Sequence, residues 1–171
     1  MIVSGGDLDQ YSYIDKKFIL EFGDKGSMSS LLKGMEDKYK KYKTKSLLIL
    51  DDPIGLLDFE AKWFLHLAST FRQFDISVVL ITQCLNKEIP TFVRNISSGC
   101  AYFRQDSLDV LRVFYKAFCN SIGSLEKLQE LNSKLDFKKH EFILYLKNQP
   151  VEDNFKINVL GKRPEFFITD E

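Results

Sequence analysis

The sequence predicts an α/β fold: a mostly parallel sheet flanked by helices, with an antiparallel strand pair closing the C-terminal part. Three observations carry that expectation. Leu47–Leu50 and Ile76–Thr82 are unbroken apolar runs of strand length, as in strands covered on both faces. Segments of helical period lie before, between and after them. Two more apolar stretches, residues 141–146 and 155–160, follow near the end and read as the antiparallel pair.

Composition sets the frame. The 171 residues carry 24 Lys+Arg against 24 Asp+Glu, and 44% are hydrophobic with 13% aromatic. A disordered chain is poorer in apolar groups and more highly charged. Zero net charge argues against a polybasic protein held to nucleic acid by bulk electrostatics. Cys84, Cys100 and Cys119 are widely spaced, with no CxxC and only His66 and His140 to join them, so neither a disulfide framework nor a zinc site is expected. No apolar run reaches the ~20 residues of a membrane span, and the start, Met1-Ile2-Val3-Ser4-Gly5-Gly6, has no positive n-region. The expectation is one intracellular domain over 1–171, with 1–134 as the sheet and helix core and 135–171 as closing strands and tail.

Element by element, Phe18–Phe22 reads as a short strand ended by Gly23-Asp24. A helix over about Ser27–Lys43 places Met28, Leu31, Leu32, Met35, Tyr39 and Tyr42 on one face and Lys33, Glu36, Lys40 and Lys43 on the other. Leu47–Leu50 ends at Asp51-Asp52-Pro53. The next helix spans about Asp58–Phe71, with Asp58 as its expected N-cap. Ile76–Thr82 is the second buried strand, and after a loop over about 86–95 a third strand covers Cys100–Phe103. Helices at about Ser107–Phe118 and Ser124–Lys134 precede the closing pair. Lys38–Lys45 interleaves lysine with Tyr39 and Tyr42. It suits either nucleic-acid contact or a solvated helix C-terminus with its tyrosines buried.

The chemistry concentrates at strand ends. In open α/β sheets ligands bind beyond the carboxyl ends of the strands, where Asp51 can hold Mg²⁺ directly or through water. Asp52 beside it can orient and deprotonate a water attacking a γ-phosphate. The pair equally fits the capping of a turn before Pro53. The next strand ends in Thr82-Gln83, and Gln83 at the same edge could position that water or serve as an ordinary loop residue. Arg94, in Glu88-Ile89-Pro90-Thr91-Phe92-Val93-Arg94-Asn95, reads either as an arginine finger for a neighbouring subunit or as a solvated cation.

Taken in order, Leu-Leu-Ile-Leu-Asp-Asp, a helix, Phe-Arg-Gln-Phe-Asp-Ile-Ser-Val-Val-Leu-Ile-Thr-Gln and Ile-Pro-Thr-Phe-Val-Arg-Asn resemble the genome-packaging ATPases of poxviruses and other large DNA viruses. These belong to the FtsK–HerA group of ring-shaped P-loop DNA pumps. The resemblance covers about residues 45–118 well and 1–44 loosely. It implies a partial RecA-like P-loop core, with ATP and Mg²⁺ as cofactors. By the same resemblance Asp51 is the Mg²⁺ residue, Asp52 the catalytic base, Gln83 the sensor, Arg94 the candidate finger and Thr82 part of the nucleotide site. The implied partners are double-stranded DNA, further copies in a ring and a capsid or portal component. The implied location is the host cytoplasm or the virion, with no membrane.

This sequence departs from that pattern in three places. It has no G-x-x-x-x-G-K-S/T, since in Gly23-Asp24-Lys25-Gly26-Ser27 the lysine precedes the second glycine. Asp52 stands where the wider group usually has Glu, and Arg72-Gln73 where Arg-His is usual. Ile2–Gly6 resembles the end of the strand that follows the phosphate loop, so the chain reads as the fold without its first strand, loop and helix. That reading expects an exposed apolar edge next to the Asp-bearing strand. Three functions stay open: a motor ATPase completed by an upstream segment, an inactive relative that binds or assembles, and an unrelated phosphatase or nuclease. The last needs further acids at strand ends, for which Asp24 is the candidate.

Overall fold

The computed structural model describes residues 1–22, 25–52, 57–82, 89–119, 124–147 and 157–159. The chain forms two compact units, 1–93 and 94–171.

The first unit is a four-stranded parallel sheet of order β2-β1-β3-β4. Its strands are β1 (Ile2–Ser4), β2 (Ile19–Glu21), β3 (Ser46–Asp51) and β4 (Ile76–Ile81). Helix α1 (Lys25–Tyr42) joins β2 to β3, and α2 (Lys62–Thr70) joins β3 to β4. Both connections advance across the sheet in the same direction. Right-handed crossovers therefore lay both helices on one face. Met28, Leu32 and Met35 of α1 and Trp63, Phe64 and Leu67 of α2 bury there against Val3, Leu48 and Leu50. Leu50 and Val3 are wholly buried.

The other face tells the opposite story. Register puts Leu47, Ile49 and Asp51 of β3 level with Ser77, Val79 and Ile81 of β4. On that face Leu47, Val79 and Ile81 are 48%, 43% and 46% exposed. The expectation that β3 and β4 are covered on both faces therefore fails: along β3, Leu48 and Leu50 are buried while Leu47 is exposed and Ile49 half-buried. An unbroken aliphatic run does not reveal that its two helices share a face. Within this sheet β3 is paired on both sides, and β4, its immediate neighbour, is an edge strand.

Helix α1 follows its predicted period with two corrections. Tyr42 is 64% exposed because it falls in the last turn, beyond the end of the sheet-facing stripe, and Glu36 is buried. Glu36 Oε1 meets His66 Nε2 of α2 at 2.7 Å, so a carboxylate placed by periodicity on the solvent side instead pins the two helices together. Asp58 does not cap α2. It caps an earlier turn, its Oδ1 accepting from the Glu60 amide at 2.9 Å, and Ala61 occupies the N-cap without a side-chain bond.

The second unit holds a three-stranded antiparallel sheet, β5 (Gly99–Phe103), β6 (Glu141–Leu146) and β7 (Ile157–Val159). The expected pairing of the last two strands is present, and β5 joins them rather than the parallel sheet. Gly99 is required at its position, because a Cβ there would lie 2.4 Å from the Tyr145 carbonyl oxygen. Part of the expected loop is helical: α3 (Thr91–Ile96) carries Arg94, and Lys147 Nζ donates to the Arg94 and Asn95 carbonyls at 2.8 and 2.7 Å. Such cations satisfy the last carbonyls of a helix.

Helix α4 (Leu108–Phe114) is capped by Ser107 and runs on as a π-helical turn, Tyr115–Cys119. Helix α5 (Leu125–Lys134) is capped by Ser124. Tyr102 stacks on Phe114 at 4.3 Å between ring centres. Cys100, half-buried, has its thiol pushed up to about 12 by burial, as suits a small core hydrophobe. Among the described residues no helix is long and apolar enough to cross a membrane.

Urea unfolding checks the asymmetry of the sheet. Leu50→Ala is expected to cost about 2–5 kcal/mol, as for other large-to-small core substitutions. Val79→Lys, on the open face, is expected to change stability by less than about 0.5 kcal/mol while reducing self-association in light scattering.

Candidate functional site

The parallel register builds one level rim. Ser4 pairs with Asp51, and Asp51 with Ile81, so three strands end at the same height. Two backbone hydrogen bonds extend the ladder one step beyond. The Gly5 amide donates to the Asp51 carbonyl at 3.1 Å, and the Asp52 amide to the Ile81 carbonyl at 3.0 Å. Beyond this rim lies a cleft of about 330 Å³. Asp51 and Asp52 line it from β3, Ile81 and Thr82 from β4, and Gly6, Asp7 and Gln10 from the segment after β1.

Three residues singled out by sequence, Asp51, Asp52 and Thr82, thus share one cleft. Gln83 lies outside the described residues, as does Asp24. Arg94 belongs to the second unit, on a helix rather than in the expected loop, and its side chain is half-buried.

Asp52 has φ 46°, in the left-handed region. L-residues other than Asn and Asp rarely adopt it, because Cβ crowds the following carbonyl. The turn at the end of β3 therefore bends the chain sharply where a carboxylate is placed, and strain of this kind gathers at functional sites.

The residues that sequence reading missed come from the loop after β1. Asp7 caps a 3-10 turn over Leu8–Tyr11, its side chain accepting from the Asp9 amide at 2.9 Å. The turn brings Tyr11 Oη and Gln10 Nε2 (3.4 Å) to Asp51 Oδ2, both as donors. Burial, and then the bond to Asp51, push the Tyr11 phenol up to about 12, so at neutral pH it is a firm donor. The Gly5-Gly6-Asp7 sequence, a turn signal directly after an apolar strand, was the available clue.

Chemically, the cleft offers hard oxygen donors at a strand edge. Among the described residues, no three His, Cys, Asp or Glu side chains cluster to hold a metal. Mg²⁺ is commonly held by one or two carboxylates, with water and phosphate oxygens completing its octahedron, and Asp51 and Asp52 are the strand-end carboxylates that could hold it here.

No protein-family model matches the sequence, and no curated protein matches it. Solved structures do share its fold. The genome packaging NTPase B204 from Sulfolobus turreted icosahedral virus 2, in complex with ATP-gammaS, aligns at TM-score 0.63 and 15% identity over 92% of this chain and 79% of that one. The DNA-packaging ATPase B204 from Sulfolobus turreted icosahedral virus gives TM-score 0.59 and 16% identity, over 92% and 80%. The pCW3 conjugation coupling protein TcpA, with ATPgS, gives 0.52 and 12%, over 86% and 49%. The expected α/β architecture, a parallel sheet with helices and a C-terminal antiparallel sheet, is therefore the one observed, and it is shared with NTPases.

Asp52→Gly checks the backbone reading independently of any activity. Removing Cβ at a positive φ is expected to leave stability unchanged or raise it by up to about 1 kcal/mol in urea unfolding. Asp52→Val is expected to lower it.

Proposed function

We propose that this chain is a component of a viral DNA-packaging motor. In that motor ATP hydrolysis drives double-stranded DNA into a capsid, and this chain supplies the acidic edge of the ATPase site. One observation carries the reading: the register that brings Asp51 and Asp52 to the carboxyl edge beside Thr82, in a fold shared with B204.

In this reading Asp51 binds Mg²⁺, directly or through water, and Thr82 faces the nucleotide. Asp52 is placed to orient and deprotonate the attacking water. Gln83 senses the γ-phosphate, and Arg94 serves a neighbouring copy in a homo-oligomeric ring that meets a capsid or portal component. Mg²⁺ supplies charge neutralisation between the β- and γ-phosphates when bound. The 171 residues hold no G-x-x-x-x-G-K-S/T, so the backbone cradle and lysine for those phosphates come from another segment.

That same feature favours a second reading, in which the chain binds or assembles without hydrolysing nucleotide. Leu47, Val79 and Ile81 on the open face support either a covering segment or a partner.

The 171 residues alone are expected to hydrolyse ATP negligibly. Turnover by this isolated chain that disappears in Asp51→Asn would overturn the assignment of the phosphate loop to another segment. The protein recovered from its native source with its accompanying chains is expected to show Mg²⁺-dependent, DNA-stimulated ATPase activity, and Arg94→Ala to lower it by about 10³–10⁵. An inactive native preparation, with a product of 171 residues on an immunoblot, would favour the second reading.

A further inference from the structure

A group of polar side chains leads into Asp51 from the end of β1 and the loop after it. It starts at Ser4, which is fully buried at the end of β1 and level with Asp51. The Gly6 amide donates to Ser4 Oγ at 3.1 Å. Tyr11 Oη, from the turn that follows, donates to Asp51 Oδ2. Gln10 Nε2 adds a second, longer bond to the same oxygen, at 3.4 Å. Both donors converge on Oδ2, which leaves Oδ1 as the oxygen available to a ligand in the cleft.

A carboxylate on a flexible χ2 would otherwise rotate and offer either oxygen. Donors outside a metal's own ligands fix that rotation, and losing one commonly weakens metal binding 10–100-fold. We propose that Tyr11 and Gln10 are positioning residues that lock Asp51 through Oδ2, so that Oδ1 is presented to a divalent cation. The proposal rests on the reading of Asp51 as the cation's residue. The loop after β1 then does more than link two strands. Its 3-10 turn, begun by Asp7, exists to bring two side-chain donors to a strand one position away in the sheet.

The test uses the 171-residue chain and Mn²⁺ alone, read by paramagnetic broadening of backbone amide signals. Wild type is expected to show saturable broadening centred on Gly5, Gly6 and Thr82. Asp51→Asn is expected to abolish it, and broadening that persists there would remove the underlying assignment of Asp51. Tyr11→Phe is expected to weaken Mn²⁺ at least ten-fold with its melting temperature unchanged, and Gln10→Ala to weaken it two- to three-fold. Cation affinity at constant melting temperature is a readout that a merely structural tyrosine would not move. If Asp51→Asn abolishes binding while Tyr11→Phe leaves it equal or tighter, the positioning role is refuted and the Asp51 assignment survives. Should Tyr11→Phe fail to fold, Gln10→Ala decides alone, since Gln10 is exposed and its loss leaves the ladder intact.

Discussion

The first unit depends on the handedness of two crossovers. From β2 to β3 and from β3 to β4 the chain moves the same way across the sheet, and an L-amino-acid chain makes each move right-handed. Both helices must then cover one face. That places the dense apolar layer of α1 and α2 over Val3, Leu48 and Leu50 and leaves Leu47, Val79 and Ile81 exposed on the opposite side. Parallel pairing of the same strands turns the carboxyl ends of β1, β3 and β4 toward one rim, where the polar residues collect. Core and open face follow from the hand of the crossovers, and the cleft from the parallel register.

Much of this was legible in the residues. Period and apolar runs located α1, β3, β4, α4, α5 and the closing strands close to their observed bounds, because each is a strong local signal. The strand-end acids were legible too, since a carboxylate after an aliphatic run falls at a sheet edge whatever the sheet's order. What escaped was non-local. Glu36 reads as a solvent-face residue on α1 until α2 brings His66 to it. The exposure of Val79 and Ile81 follows from both helices packing on the other face of the sheet, which β-branched composition cannot disclose. Helix α3 is six residues long, too short to show a period beside Pro90.

Tyr11 and Gln10 escaped for another reason. Nothing about a tyrosine in a polar loop marks it as a partner of an aspartate forty residues later. The contact arises because β1 pairs directly with β3, Ser4 level with Asp51, so the loop leaving β1 starts beside the end of β3. Sequence reading can find residues with chemistry of their own. Residues that act by holding others become visible only once the strands have an order.

The shortness of β1 has a consequence for how the site comes into being. Three residues cannot hold a strand by themselves, and the partners of β1 begin at Ile19 on one side and Ile49 on the other. The pairing of Ile2 with Ile49 is long-range, and loop-closure entropy must be overcome before such a contact is rewarded. The cleft draws its walls from the ends of β1, β3 and β4 together, so a partly folded chain contains no fraction of it. The site is acquired cooperatively with the sheet, and a chain caught midway in folding holds the acids of β3 without the neighbours that give them a direction.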